Sequence, residues 1–137
     1  MEQGYIRSRQ RGKKNQKQPA LSAPLKFTTS DGFTVLVGRN NRQNDKLTMK
    51  DANNNDIWFH TKNIPGSHTV LVTDGKQPTE KAMEEAAILA ARHSRAKDSA
   101  QVPVDYTQIC HVFKPQGAKP GMVNYVNYKT VFVDPTE

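Results

Sequence analysis

Asp56-Ile57-Trp58-Phe59-His60-Thr61-Lys62-Asn63-Ile64-Pro65-Gly66-Ser67-His68-Thr69-Val70-Leu71-Val72 is the stretch on which the reading of the fold turns. It holds the only Trp and two of the four His of the chain. Ile57-Trp58-Phe59 is short and bulky, as a buried strand is. Thr69-Val70-Leu71-Val72 is β-branched and reads the same way. Pro65-Gly66 lies between them and predicts a reversal, because Pro pre-sets its own φ and Gly accepts a positive one. His60 closes one run and His68 opens the next, so both rings are expected at one edge of a sheet. Alternation along the first strand puts Trp58 and His60 on one face, Ile57 and Phe59 on the other.

Toward the N-terminus, Leu25–Thr29 and Phe33–Val37 flank Ser30-Asp31-Gly32 and predict a hairpin. Gly38 ends the second strand. The segment 38–45 is dense in amides with Arg39 and Arg42, and it has two readings. Asn and Asp favour caps and turns, which predicts a polar loop leading into a short helix over Gln43–Met49. Amides and guanidinium groups also bond base edges and phosphates, which makes it a recognition loop.

Toward the C-terminus, Pro78-Thr79 starts the one long helix, with Thr79 as N-cap and Glu80, Glu84 and Glu85 near its positive end. A broad stripe of small apolar residues, Ala82 to Ala91, suits close approach to a sheet. Arg92, His93, Arg95 and Lys97 crowd its last turns, either as partners of the negative helix end or as a basic patch. Val104–Phe113 reads as a strand that holds Cys110 as a core thiol. Lys114 to Gly121 is a Gly/Pro-punctuated loop with Lys114 and Lys119. Met122–Val126 and Thr130–Val133 read as a closing hairpin. The expected class is α+β, with a largely antiparallel sheet of six or seven strands, one long helix packed on it, and a short helix near 43–49.

The 137 residues suffice for one core without metal or disulfide staples, and a single Cys excludes an internal disulfide. The net charge of +7 is uneven: residues 1–26 carry seven basic side chains against Glu2 alone, and the rest carries thirteen basic and twelve acidic ones. Residues 1–24 are rich in Gln, Arg and Lys and are expected to be a disordered basic tail or linker, or a frayed helix end. Residues 25–137 are expected to form the domain. A cationic tail suits phosphate backbones or an anionic membrane surface, or serves only to keep a linker solvated. No apolar run approaches a membrane span and the N-terminus lacks an apolar signal region, so neither membrane nor secretory chemistry is expected.

Zinc-type ligand spacing and a Walker-type glycine loop are absent, and Ser67-His68 has no orienting carboxylate in view. The expectation is a binding module without catalysis, metal or cofactor. Trp58, His60, His68, the amide-rich loop and the Lys/Pro loop suit RNA, in which unpaired bases stack on rings and Lys or Arg hold phosphates. On composition alone, Trp58 reads as a core residue.

D-I-W-F-H-T-K-N-I-P-G-S-H, E-E-A-A-I-L-A-A-R-H-S, V-P-V-D-Y-T and K-P-Q-G-A-K-P-G, in this order, resemble the NFACT-R module, the C-terminal part of NFACT proteins of the bacterial RqcH type, long labelled fibronectin-binding proteins. The resemblance spans about residues 25–137 and makes the basic tail look like the exit of the family's coiled coil. It implies an RNA-binding module of a cytoplasmic ribosome-associated quality control factor. Such factors bind obstructed large ribosomal subunits and recruit tRNA for alanine tailing of stalled chains. The implied partners are the large subunit, tRNA or rRNA, and the N-terminal NFACT and coiled-coil regions. Because those regions are not in this sequence, tailing by it alone is not expected. The motif points to Asp56, Trp58, His60, Pro65, Gly66, Ser67, His68, Lys114, Gly117, Lys119 and Gly121. Together with the basic and amide residues, the candidate RNA-binding set is Arg39, Asn41, Arg42, Trp58, His60, Lys62, Ser67, His68, Lys114 and Lys119. Adhesion to fibronectin is the alternative that the old label suggests.

Overall fold

A computed structural model describes residues 23–136. Its strands are β1 (Leu25–Thr28), β2 (Thr34–Val37), β3 (Ile57–Thr61), β4 (Thr69–Val72), β5 (Val102–Gln108), β6 (Val112–Phe113), β7 (Asn124–Tyr125) and β8 (Lys129–Val133), and its helices are α1 (Asn41–Lys46) and α2 (Glu80–Arg92). Six strands form one sheet in the order β1-β2-β4-β3-β5-β8. Every pairing in it is antiparallel. The basic tail expected over 1–24 lies, but for Ala23 and Pro24, outside the described residues.

The alternation around Trp58 sorts the core into two layers. Ile57 and Phe59 point with Val35, Val37, Leu71 and Val104 toward α2. Ala82, Ala86, Ala87, Ala90 and Ala91 of α2 are almost fully buried there. Alanine suits that seam, since a methyl lets the helix axis come close to the strands. Thr79 caps α2 as expected, its Oγ1 accepting from the Ala82 N–H at 3.0 Å. Trp58 and Val70 point the other way, to Leu47, Ile109 and Val112. That second layer is roofed by α1, by a π-helical turn over Leu47–Asp51, and by the small sheet of β6 and β7.

Several expectations are corrected. The short helix starts at Asn41 rather than Gln43, because the Asn40 side chain caps it by accepting from the Gln43 N–H at 2.9 Å. The strand expected over 104–113 breaks at a 3-10 turn over Ile109–His111, which carries Cys110 to the exposed surface. The expected closing hairpin does not form: β7 pairs with β6, and β8 pairs with β5 at the edge of the main sheet. Strand propensity marks both segments correctly, but partners are chosen by which face each can bury. The reversal between β3 and β4 takes its left-handed residue at Asn63 (φ 56°) rather than at Gly66. Gly66 is there for space, since a Cβ on it would lie 2.9 Å from Ser94 Cβ and 3.0 Å from Thr61 Oγ1.

Candidate nucleic-acid interface

Phe59 lies opposite Thr69 across β3 and β4, which sets His60 beside His68. Their ring centroids are 5.6 Å apart with planes near perpendicular. Trp58 is parallel to His60 at 5.7 Å and meets His68 edge-on at 5.3 Å. Tyr125 of β7 tilts over Trp58 at 4.7 Å, and Tyr128 stands edge-on to Tyr125 at 5.0 Å. Lys62 Nζ sits 4.7 Å from the centroid of the Tyr128 ring. The rings thus form a continuous row from the exposed Tyr128 to the buried Trp58. Beside this row lies a cavity of about 420 Å³ with Asn41, Trp58, His60, Asn63, His68 and Tyr125 among its walls.

Hydrogen bonding fixes the imidazoles in opposite tautomers. A carbonyl can only accept, so His60 Nδ1 donates to Thr61 O at 2.7 Å and His68 Nε2 donates to Gly121 O at 3.0 Å. His68 Nδ1 is left to accept from the Thr48 hydroxyl at 2.7 Å. His68 is therefore complete as a neutral ring. Burial, reinforced by the neighbouring His60, pushes its pKa down to about 4. The pKa of His60 is also lowered by burial, against the opposing pull of the Thr61 and Gly66 backbone and of Asp105. Both rings enter neutral chemistry as neutral groups.

The surrounding loops are tied down by polar groups that the sequence scatters. Asn44 Oδ1 accepts from the His68 N–H at 3.2 Å, and a Cβ on Gly38 would fall 2.0 Å from that same oxygen. Gln43 Oε1 accepts from the Arg39 N–H at 2.8 Å. Lys114 Nζ reaches Asp45 at 2.6 Å and Lys119 O at 3.0 Å, and the Gly121 N–H meets the same Asp45 oxygen at 3.3 Å. The bond from Lys114 holds the Asp45 carboxyl below its usual range. Gly121 (φ +85°) also packs on Asn41, whose Oδ1 would be 3.1 Å from an added Cβ. The turn at Pro65-Gly66-Ser67 is stitched to the end of α2 through Ser67 N–H to His93 O and Arg95 N–H to Pro65 O. Asp105, buried under the row of rings, accepts from Tyr125 Oη and Thr130 Oγ1 at 2.6 Å each and faces Lys62 at 3.5 Å. Burial and the Asp105 bond push the Tyr125 hydroxyl well above its ordinary pKa.

Of the ten sequence candidates, Asn41, Trp58, His60 and His68 meet at the cavity. Trp58 offers no open face to solvent, being 1% exposed, and His68 is 2% exposed. They form the cavity's inner wall. Arg39 and Arg42 are exposed on either side of Asn41. Lys119 is exposed on the loop that brings Gly121 in, while Lys114 is half-buried and occupied in holding that loop to α1. Lys62 is engaged with Tyr128 and Asp105. Ser67 is half-buried, its backbone amide on His93. Sequence reasoning passed over Tyr125, Tyr128, Asp45 and Asp105. The repeated Asn-Tyr pairs in Asn124-Tyr125-Val126-Asn127-Tyr128 were the available signal. Asp56, which opens the motif, serves the turn before β3: its carboxylate accepts from the Asn53 and Thr73 N–H groups at 2.9 and 3.1 Å.

Residues 24–127 match the family described as the NFACT protein RNA binding domain. The chain belongs to this NFACT-R family. It is 52% identical over 134 residues to the "Rqc2 homolog RqcH" of Bacillus subtilis, covering 96% of this chain and 23% of that protein. It is 34% identical over 89 residues to the "Archaeal Rqc2 homolog aRqcH" of Methanocaldococcus jannaschii, covering 65% of this chain and 13% of the relative. The solved C-terminal part of the fibronectin/fibrinogen-binding protein from Streptococcus suis superimposes with a TM-score of 0.81 at 44% identity, over 99% of this chain and 53% of that one. The chain spans about a quarter of the bacterial relatives it matches. The NFACT-R likeness drawn from the four sequence blocks is therefore confirmed by the match, and so is the α+β class. Among the described residues, no group of three or more His, Cys, Asp or Glu is placed to hold a metal ion, and no helix is long and apolar enough to cross a membrane.

Proposed function

We propose that this NFACT-R domain is a non-catalytic RNA-contacting module of a cytoplasmic ribosome quality control factor. It helps to seat such a factor on an obstructed large subunit and on tRNA during alanine tailing. The observation that carries this reading is the convergence of Asn41, Trp58, His60, His68 and Tyr125 on one cavity, with the exposed Arg39 and Arg42 flanking Asn41. Rings and amides suit unpaired bases, and exposed guanidinium groups suit phosphates. The names of the relatives, Rqc2 homologues and a ribosome quality control complex subunit, support the setting. The remaining three quarters of those relatives would supply the rest of the factor, with which this module would act.

The test is binding of a labelled single-stranded RNA and of tRNA at 50 and 200 mM salt. The expected affinity falls with salt by a log–log slope of roughly 0.7 per phosphate neutralised on a single strand. Undetectable binding at the lower salt refutes the proposal. The name of the Streptococcus suis protein favours a second reading, adhesion to fibronectin. Saturable capture of fibronectin that outlasts 0.5 M salt and leaves RNA unbound would put that reading first.

A further inference from the structure

We propose that the cavity beside β3 receives one unpaired nucleobase, swung out of an RNA strand, and that Trp58 Nε1 donates to an acceptor on that base. The inference rests on the RNA-binding reading and adds to it what enters the site and which atom receives it.

Three observations carry it. The first is an unsatisfied donor. Trp58 Nε1 is buried and has no hydrogen-bond partner among the described residues, and Trp58 is part of the cavity wall. On its own face of the sheet the neighbouring polar groups are matched: both nitrogens of His68, both carboxylate oxygens of Asp105 and the Tyr125 hydroxyl are bonded. The other buried orphan among the described residues, Thr69 Oγ1, belongs to the opposite, α2-facing side. A buried N–H without an acceptor costs about 1–3 kcal/mol. Phenylalanine would fill much of the same space without that cost. An indole here is explained if the acceptor arrives with a ligand.

The second is the sign of the charge. The walls of the cavity contain no Lys, Arg, Asp or Glu. Its two imidazoles are held neutral by burial. Such a lining rejects a phosphate, a carboxylate or an ammonium group, whose desolvation nothing here offsets. It suits an uncharged, flat group with several acceptors and donors. The exposed cations, Arg39 and Arg42, stand outside the lining, Arg39 held among the described residues only by a long bond from Nη1 to Ala23 O at 3.5 Å, and suit the backbone that carries the base.

The third is shape and edge chemistry. A volume of about 420 Å³ lies within the usual range of small-molecule sites. Ile64, Pro65, Met122 and Val123 supply apolar walls, and Tyr125 and His60 supply ring surfaces. Asn41 and Asn63, both exposed, bring amides that can donate and accept along a base edge.

Trp58 is also the chain's only tryptophan, so its emission reports directly on the cavity. The experiment titrates the full 137-residue chain with two fluorescein-labelled oligomers of equal length, one of ordinary single-stranded RNA and one of abasic ribose-phosphate. It follows label anisotropy for binding and Trp58 emission for occupancy of the cavity. The expected result is that only the base-bearing oligomer shifts Trp58 emission and that it binds about tenfold more tightly than the abasic one. The variant Trp58→Phe keeps the ring and removes the N–H. It should weaken the base-bearing oligomer about fivefold and leave the abasic one unchanged. Equal affinity for both oligomers with unmoved emission, while binding stays salt-sensitive, overturns the base site and leaves the RNA reading standing. Loss of salt-sensitive binding to either oligomer overturns both. A stronger emission response to N-acetyltyrosinamide than to free nucleosides overturns the base site in favour of a peptide ligand.

Discussion

On the α2 side of the sheet, Phe59, Leu71, Val35 and Val104 meet a helix faced with alanines, and all of these side chains are fully buried. On the other side, β3 and the residue preceding β4 present Trp58, His60 and His68, covered by α1, a π-helical turn and a loop held by Lys114 and Asp45. Aliphatic groups dominate the first seam, which closes completely. The second is assembled from rings, amides and carbonyls whose bonds must be matched one by one, and it leaves a cavity where they stop. One strand serves both because alternate residues face opposite ways. One sheet thus carries a fully closed seam on one face and a ring-lined cavity on the other.

Four experiments sharpen or break that contrast. Phe59→Ala should have the largest effect. Truncating a fully buried ring costs about 3–5 kcal/mol, read as a drop in the urea midpoint. RNA affinity of the fraction still folded should not change; a change would mean that the two faces are coupled.

Acidification should act on the ring-lined face. An unfolded His titrates near its ordinary value of 6.5, whereas folded His68 stays neutral down to about 4. Above pH 6.5 both states are neutral and no stability is at stake. As pH falls from 6.5 toward 4 the unfolded chain takes up a proton that the folded chain refuses, so stability is lost. The loss should reach about 2 kcal/mol by pH 5, and His60, shifted the same way, adds to it. Urea midpoints at about pH 7.5 and about pH 5, with the His68 ring followed by NMR, test this. A ring that titrates near 6.5 in the folded protein sinks the account.

Replacing both Arg39 and Arg42 by Ala should leave stability within about 0.5 kcal/mol, since their side chains are exposed. It should also reduce the salt slope of single-stranded RNA binding by roughly 0.7 for each phosphate no longer neutralised. An unchanged slope would remove these two cations from the interface. The fourth experiment lies within the α2 seam. Thr69 is fully buried and its hydroxyl has no partner among the described residues. Thr69→Val should raise stability by about 1 kcal/mol, seen as a later thermal midpoint. A decrease would show that the hydroxyl is bonded after all.

Much of this was legible in the residues. The β1–β2 hairpin, the Thr79 cap and the division of Ile57 and Phe59 from Trp58 and His60 all follow from local chemistry and a period of two. What escaped was partnership over distance. Nothing near Lys114 shows that its ammonium is taken by Asp45, 69 residues away, so a free cation was a fair expectation from sequence. Tyr125 and Tyr128 read as strand and turn residues because their neighbours in the row, Trp58 and Lys62, lie far earlier in the chain.

The order of β1 to β5 and of α1 and α2, the two-sidedness of β3 and kinship with NFACT-R were determined by the sequence alone, since each depends on propensity, alternation or motif blocks within a short span. The tertiary structure alone decided that β7 leaves β8 to pair with β6, that His68 is a neutral ring held between Thr48 and Gly121, and that the Trp58 N–H has no protein acceptor among the described residues. These outcomes depend on which distant groups can be buried together with their hydrogen bonds satisfied, and a linear pattern does not carry that information.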